Sequence, residues 1–338
     1  MADAIRVMTW AGGWGDALRS AVSDTFSRAS GIPIEHHTHV GLALPAALEQ
    51  ALCEGRPPPF DVVWSNSGPA LRMARAGRTT PLDGLCHLDG LHPRAVPEGC
   101  GPHASGAWPL VYVYVVFYVL VYRKALYPGG APRSWDVLRD PRHRGRVALY
   151  PGGNGLYPIA QHMGGGRIAD IPDDMEPCWR YVRTLRDQVG QLDYSIGMGS
   201  HLRAEKLDLC FRALTNALAF QAEGLDVDFA APDEGISDTL DCLWIPAGLD
   251  PARVDGARRF IEHAISPAVQ TDWCARLGAL PVSREAEVPR LVREHPGLPD
   301  EIGAVDRLLH LPEWLKADHQ AEWEARFARE LLPPGALA

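Results

Sequence analysis

Residues 111–122, VYVYVVFYVLVY, are all apolar or phenolic, and this run constrains the fold more than any other stretch of the chain. It is too short to span a bilayer. Its alternation predicts a strand, in which successive side chains point to opposite sides. Val111, Val113, Val115, Phe117, Val119 and Val121 then form one face, and Tyr112, Tyr114, Val116, Tyr118, Leu120 and Tyr122 form the other. The first face suits a core. The second carries phenols that hydrogen-bond or stack, and at least one of them is expected to face a cleft.

The rest of the chain alternates strand and helix patterns. Strands are predicted over 5–8, 32–39, 60–64, 146–150, 207–214, 227–231 and 240–245. Helices are predicted from Pro69 to Gly77 and over 155–163, 176–189, 252–265 and 268–277. Another helix is expected after the first strand, N-capped by Asp16, with Leu18, Ala21, Val22 and Phe26 on one face. This order predicts an α/β protein with mostly parallel strands. A chain of 338 residues, 46% hydrophobic, has enough apolar material for two domains. A net charge of −9 argues against nucleic acid as a partner. The seven cysteines are odd in number, scattered, and contain no C-x-x-C pair. They fit a reducing compartment better than a disulfide framework, so a cytoplasmic location is expected; export is the alternative if a signal was trimmed.

Several short motifs carry chemistry. In TWAGGWGDAL, Trp10 and Trp14 are expected at the carboxyl end of the first strand, where open α/β sheets bind ligands. PGGNGLYP, residues 151–158, opens a helix with glycines whose amides suit a carboxylate or phosphate, but it lacks the lysine and spacing of a nucleotide loop. His36, His37 and His39 sit on an expected edge strand without a convincing further ligand, so no metal is expected. No cofactor is expected either.

The order of these segments resembles bacterial ABC-transporter solute-binding proteins of the type II periplasmic-binding fold, in the spermidine and putrescine branch. The matching pieces are TWAGGWGDAL, FDVVWSNSGPALRMARAGRTTPLD, VYRKALYPGGAPRSWDVLRDPRHRGRVALYPGGNG, FAAPDEGISDTLDCLWIPAG, ARRFIEHAISPAVQTDWCARLGALPVS and LPEWLKADHQAEWEARFARELL. The resemblance implies two α/β lobes joined by crossing strands that close on ligand by a hinge motion. The expected division is 1–112 with 243–290 for the first lobe. The second lobe is 113–242 with 291–338, including a closing C-terminal helix. The resemblance also implies ligand contacts from Trp10, Trp14, Ser65, Asn66, Tyr112, Tyr114, Asn154, Tyr157 and Asn216. The segment 194–202 is expected to contribute as well, with Thr215 and Asn216 ending a strand.

Glu234, Asp238 and Asp241 fall near this aromatic wall, where carboxylates beside rings stabilise organic cations. Two functions follow. In the first, a cytoplasmic enzyme of specialised metabolism reuses the cleft to condense or cyclise a small amine or amino acid through an iminium, with Glu234 or Asp241 taking the proton. In the alternative, a monomeric solute-binding protein delivers a polyamine or similar cation to an ABC permease. Cys210 and Cys242 invite comparison with thiaminase I, an enzyme of this fold with a cysteine nucleophile, although buried cysteines are usually inert.

Overall fold

The computed structural model describes residues 3–41, 43–97, 107–194, 197–300 and 308–331. In chain order the elements are β1 (Ile5–Trp10), α1 (Gly13–Leu18), α2 (Asp24–Ser30), β2 (Ile34–His39), α3 (Ala46–Glu54), β3 (Val62–Asn66), α4 (Ser67–Arg75), β4 (Thr79–Thr80) and β5 (Val111–Arg123). There follow β6 (Val147–Leu149), α5 (Tyr157–Met163), α6 (Glu176–Thr184), β7 (Val189–Leu192), α7 (Met198–Arg203), β8 (Leu209–Ala213), α8 (Leu214–Ala222) and β9 (Val227–Ala230). The last are β10 (Ser237–Pro246), α9 (Pro251–Ala264), α10 (Pro267–Leu277), β11 (Leu280–Pro281), α11 (Arg290–Glu294) and α12 (Glu313–Leu331).

The chain divides into two compact α/β units and changes unit inside β5, after Val115, and inside β10, after Thr239. The first unit holds the described residues up to Val115 together with Leu240–Val292. Its sheet runs β2, β1, β3, β10, with β1 parallel to β2 and β3 and with β10 antiparallel to β3. The β3–β10 register sets Asn66 opposite Asp241 and Ser65 opposite Cys242. Trp64, Trp244 and Trp273 are fully buried in this unit and supply much of its core, each contributing about 2–3 kcal/mol of apolar burial. The helix start at α9 is built locally. Pro251 occupies the first turn, and the Asp250 carboxylate accepts the Arg253 N–H at 3.0 Å.

The second unit holds Val116–Thr239, Arg293–Asp300 and the described residues from Leu308 on. There β5 lies between β8 and β9, antiparallel to both, while β6 is parallel to β7 and β8. Strands on both sides and packing on both faces bury β5 throughout Val111–Tyr122. The expectation of mostly parallel strands is therefore corrected: the two strands shared by the units run antiparallel to their neighbours. The amphipathic α12 packs Trp323 and Phe327 on Tyr157, with Arg183 and Glu330 paired at 3.0 Å beside them.

Candidate functional site

In the first unit β1 ends at Trp10, and α1 starts at Gly13 with Gly12, not Asp16, at its N-cap. Asp16 lies in the first turn instead, which corrects the expected cap. The tight return is possible because residue 15 has no side chain: a Cβ there would stand 2.3 Å from the Trp10 carbonyl oxygen. This turn leaves Trp10 and Trp14 half-buried.

The two tryptophans border a cluster of rings. Trp10 meets Trp64 edge-on at 6.3 Å and His39 at 6.1 Å, and Trp14 meets Tyr114 at 6.2 Å. Tyr114 stands perpendicular to Trp64 and to Trp273, with centroids 6.2 and 5.1 Å away. Its hydroxyl donates to Asp241 Oδ2 at 2.8 Å, and Asn66 Nδ2 donates to Asp241 Oδ1 at 2.6 Å. Burial, and then the neighbouring Asp241 charge, push the Tyr114 phenol well above its ordinary pKa, so it remains a donor.

The Asn66 orientation is fixed by chemistry, because a carboxylate accepts only from the amide nitrogen. The Asn66 carbonyl Oδ1 is thereby left buried with no donor. A buried acceptor without a partner is costly, about 1–3 kcal/mol, and such groups in native proteins call for an explanation.

Other expected site residues of the first unit fall differently. Ser65 is fully buried; it accepts the Trp244 indole N–H at 3.1 Å and donates to the Asn66 carbonyl at 3.0 Å, so it supports the cluster from beneath. Tyr112 is buried two residues before Tyr114 on the same strand face. Asn66 ends β3 and precedes α4 directly, so Ser65-Asn66-Ser67 is a strand end and a helix start. Trp64 and Trp273 belong to the ring cluster and were not anticipated; sequence marks them only as apolar residues in a strand and a helix.

In the second unit Tyr150 organises the remaining group. Its hydroxyl donates to Asn216 Oδ1 at 2.6 Å, while Asn154 Nδ2 donates to the Tyr118 hydroxyl at 2.7 Å and Tyr118 stands edge-on to Tyr150. Asn216 lies in the first turn of α8, not at a strand end as expected. Tyr157 is a packing residue, set against Trp179, Trp323 and Phe327 with its hydroxyl donated to the Gly152 carbonyl. The glycine loop is filled from its own unit. A Cβ on Gly152 would meet the Glu324 side chain at 2.6 Å, and one on Gly153 would meet the Phe327 ring at 2.7 Å. A carboxylate-bearing side chain over these glycines leaves no anion cradle there.

Glu234 belongs to this second unit, where its carboxylate accepts from Ser134 Oγ and from the Trp135 N–H. It holds a loop, and the unit boundary separates it from Asp241. Asp238 is buried and paired with His310 at 2.9 Å. Cys210 is raised to about 11 by burial, which disfavours its thiolate, and Cys242 is buried with its thiol directed at the Ser65 carbonyl, 3.4 Å away. His37 pairs with Glu35 at 3.1 Å and His39 contacts the Ala43 carbonyl. Among the described residues no group of three His, Cys, Asp or Glu is placed to hold a metal ion. Of the segment 194–202, residues 195 and 196 lie outside the described residues.

The fold has many solved counterparts. An ABC transporter substrate-binding protein from Bradyrhizobium japonicum USDA 110 superposes with a TM-score of 0.79 at 20% identity, covering 97% of this chain and 99% of that one. AgtB of A. tumefaciens R10, solved with agropinic acid, gives 0.75 at 18% identity, covering 98% and 99%. The spermidine/putrescine substrate-binding protein PotD of Streptococcus pneumoniae gives 0.75 at 14% identity, covering 97% and 98%. No curated protein matches this chain by sequence. The profile of the family described as "Bacterial extracellular solute-binding protein" matches residues 21–300. This two-unit α/β chain, matched by that profile over most of its length, belongs to the bacterial extracellular solute-binding protein family.

Proposed function

We propose that the chain is the solute-binding component of an ABC importer, exported and working as a monomer, and that its first unit receives the protonated amine of a small solute. The observation that carries this reading is the buried Asn66 Oδ1, an acceptor with no donor, beside the Asp241 carboxylate and next to half-buried Trp10 and Trp14. An ammonium group supplies the N–H donor that Asn66 Oδ1 lacks and brings a positive charge to the Asp241 carboxylate. Each aromatic face adds about 0.5–2 kcal/mol of cation–π attraction.

The relatives are consistent with such a solute. One structural counterpart is described as a spermidine/putrescine binder and another, at 19% identity, as a receptor for GABA. The condensing-enzyme reading has weaker support. Of its two proton acceptors, Glu234 is committed to Ser134 and Trp135, and the family is one of binding proteins.

Native mass spectrometry of protein from its own host, followed by calorimetric titration of the recovered solute, tests the proposal. An unmodified amine or amino acid is expected, bound at least about 30-fold more weakly by Asp241→Asn, since losing a buried charged partner costs about 2–5 kcal/mol. Recovery of a condensed or cyclised product, or an unchanged affinity in the variant, would sink it.

A further inference from the structure

We infer that the second unit carries a carboxylate subsite at the junction of β8 and α8, formed by Arg212, Asn216 and the start of α8. The inference rests on the solute-binding reading above and extends it: the solute bears an anionic group as well as an amine.

Arg212 is the unusual residue. It has no exposed surface, and its guanidinium cannot lose its proton in a protein. Arginines that hold ion pairs, such as Arg6, Arg123 and Arg253, keep between 16% and 29% of their side chains exposed. The buried one has no acid at all among the described residues. Its Nη1 donates to the Phe211 carbonyl at 2.6 Å, and its Nη2 donates to the Asp193 carbonyl at 3.1 Å and lies 3.8 Å from the Met198 sulfur. The carbon of the guanidinium stands 4.5 Å over the Tyr150 ring. Neutral dipoles and a ring thus surround a full positive charge, and Nε donates to nothing. Burying a charge is unfavourable unless it is paired, so this guanidinium is suited to receive an anion.

The surroundings supply matching donors. Arg212 is the penultimate residue of β8, and α8 begins directly after Ala213, whose methyl group cannot cap it. Helix amides at such a start attract an anion. In the first turn, Asn216 is 8% exposed and its Oδ1 is taken by the Tyr150 hydroxyl, which leaves Nδ2 as a donor without a partner. Tyr150 therefore links the two groups: its ring lies under Arg212 and its hydroxyl orients Asn216. A planar carboxylate, with two acceptor oxygens, matches a guanidinium edge and an amide better than a monoatomic anion does.

Calorimetric titration of the full chain with pairs of equal length, putrescine against 4-aminobutyrate and cadaverine against 5-aminopentanoate, tests the inference. The acid of at least one pair is expected to bind tenfold or more tightly than its diamine, and Arg212→Gln is expected to bring that ratio close to one. Arg212→Lys, which keeps the charge but not the planar fork, is expected to retain part of the preference and serves where Arg212→Gln fails to fold, as judged by thermal melts. Diamines binding as tightly as the acids would overturn the carboxylate subsite while leaving the amine reading intact. A preference for the acid that survives both substitutions would overturn the role of Arg212. Silence of the whole panel would remove the amine reading and this inference with it.

Discussion

Gly15 shows how a single residue sets the position of the candidate site. With the Trp10 carbonyl oxygen 2.3 Å from where a Cβ would stand, the turn between β1 and α1 closes only over a hydrogen atom. Gly15→Ala must push α1 away from β1, and overpacking of this kind typically costs about 1–3 kcal/mol. A lower midpoint in chemical denaturation is expected, together with altered tryptophan fluorescence, because Trp10 and Trp14 flank the displaced turn. A wild-type midpoint and spectrum would contradict the argument. At this scale the sequence was informative where residue type implies chemistry. Two tryptophans amid glycines, an asparagine ending an apolar strand and an aspartate near the second crossover were all legible, and Asn66, Tyr114 and Asp241 do form one hydrogen-bonded group. Partnership was not legible. Nothing in the letters distinguishes the buried, acid-free Arg212 from twenty-nine other arginines, and Glu234 reads like Asp241 until its bonds to Ser134 and Trp135 are seen.

At the scale of elements, the C-terminal helix α12 is attached to its unit by a titratable latch. Just before the helix, His310 Nδ1 pairs with buried Asp238 of β10 at 2.9 Å, and Leu309 donates its N–H to the Ile236 carbonyl at 2.8 Å. From α12 itself, Lys316 faces the Asp238 carbonyl and Thr239 and pairs with Glu313 at 2.7 Å. Burial opposes charge on both members of the His310–Asp238 pair. Their mutual attraction outweighs it, raising His310 and holding Asp238 below the usual carboxylate range. The raised histidine contributes fully below its unfolded value, about 6.5, and loses that contribution as pH climbs through its folded value. The lowered aspartate contributes above its unfolded value, about 3.9, and loses that as pH falls through its folded value. The latch is therefore strongest between about pH 4 and 6.5. The protection of α12 against hydrogen exchange, relative to the intrinsic exchange rate at each pH, is expected to be greatest in that window and to fall above it, and His310→Gln is expected to remove that alkaline loss of protection. The same helix explains why the glycine loop misled: PGGNG reads as an anion cradle, but its open space is taken by Glu324 and Phe327 from more than 160 residues further on.

For the whole molecule, the consequential feature is that the chain passes between units inside β5 and again inside β10, so neither unit is one continuous stretch. The alternation of strand and helix, read in sequence, gives the α/β class, but local patterns cannot reveal that a strand changes unit midway, since its period of two continues unbroken from Val111 to Tyr122. The energetic consequence is direct. Residues 1–115 alone lack β10, the partner of β3, and lack α10, whose Trp273 packs on Trp64 and Tyr114. That fragment exposes an unpaired strand edge and the buried faces of two large rings, so it is expected to melt without cooperativity and to aggregate. Joining it to residues 240–292 through a Gly/Ser linker of about eight residues restores both the strand pairing and the ring cluster, and a cooperative melt followed by circular dichroism is expected to return. The spliced unit retains Asn66, Tyr114 and Asp241 but not Arg212. Under the proposed division of labour it should bind an amine weakly and make no distinction between a diamine and the amino acid of equal length. A spliced unit that melts cooperatively yet prefers the acid would place carboxylate recognition in the first unit and contradict that division.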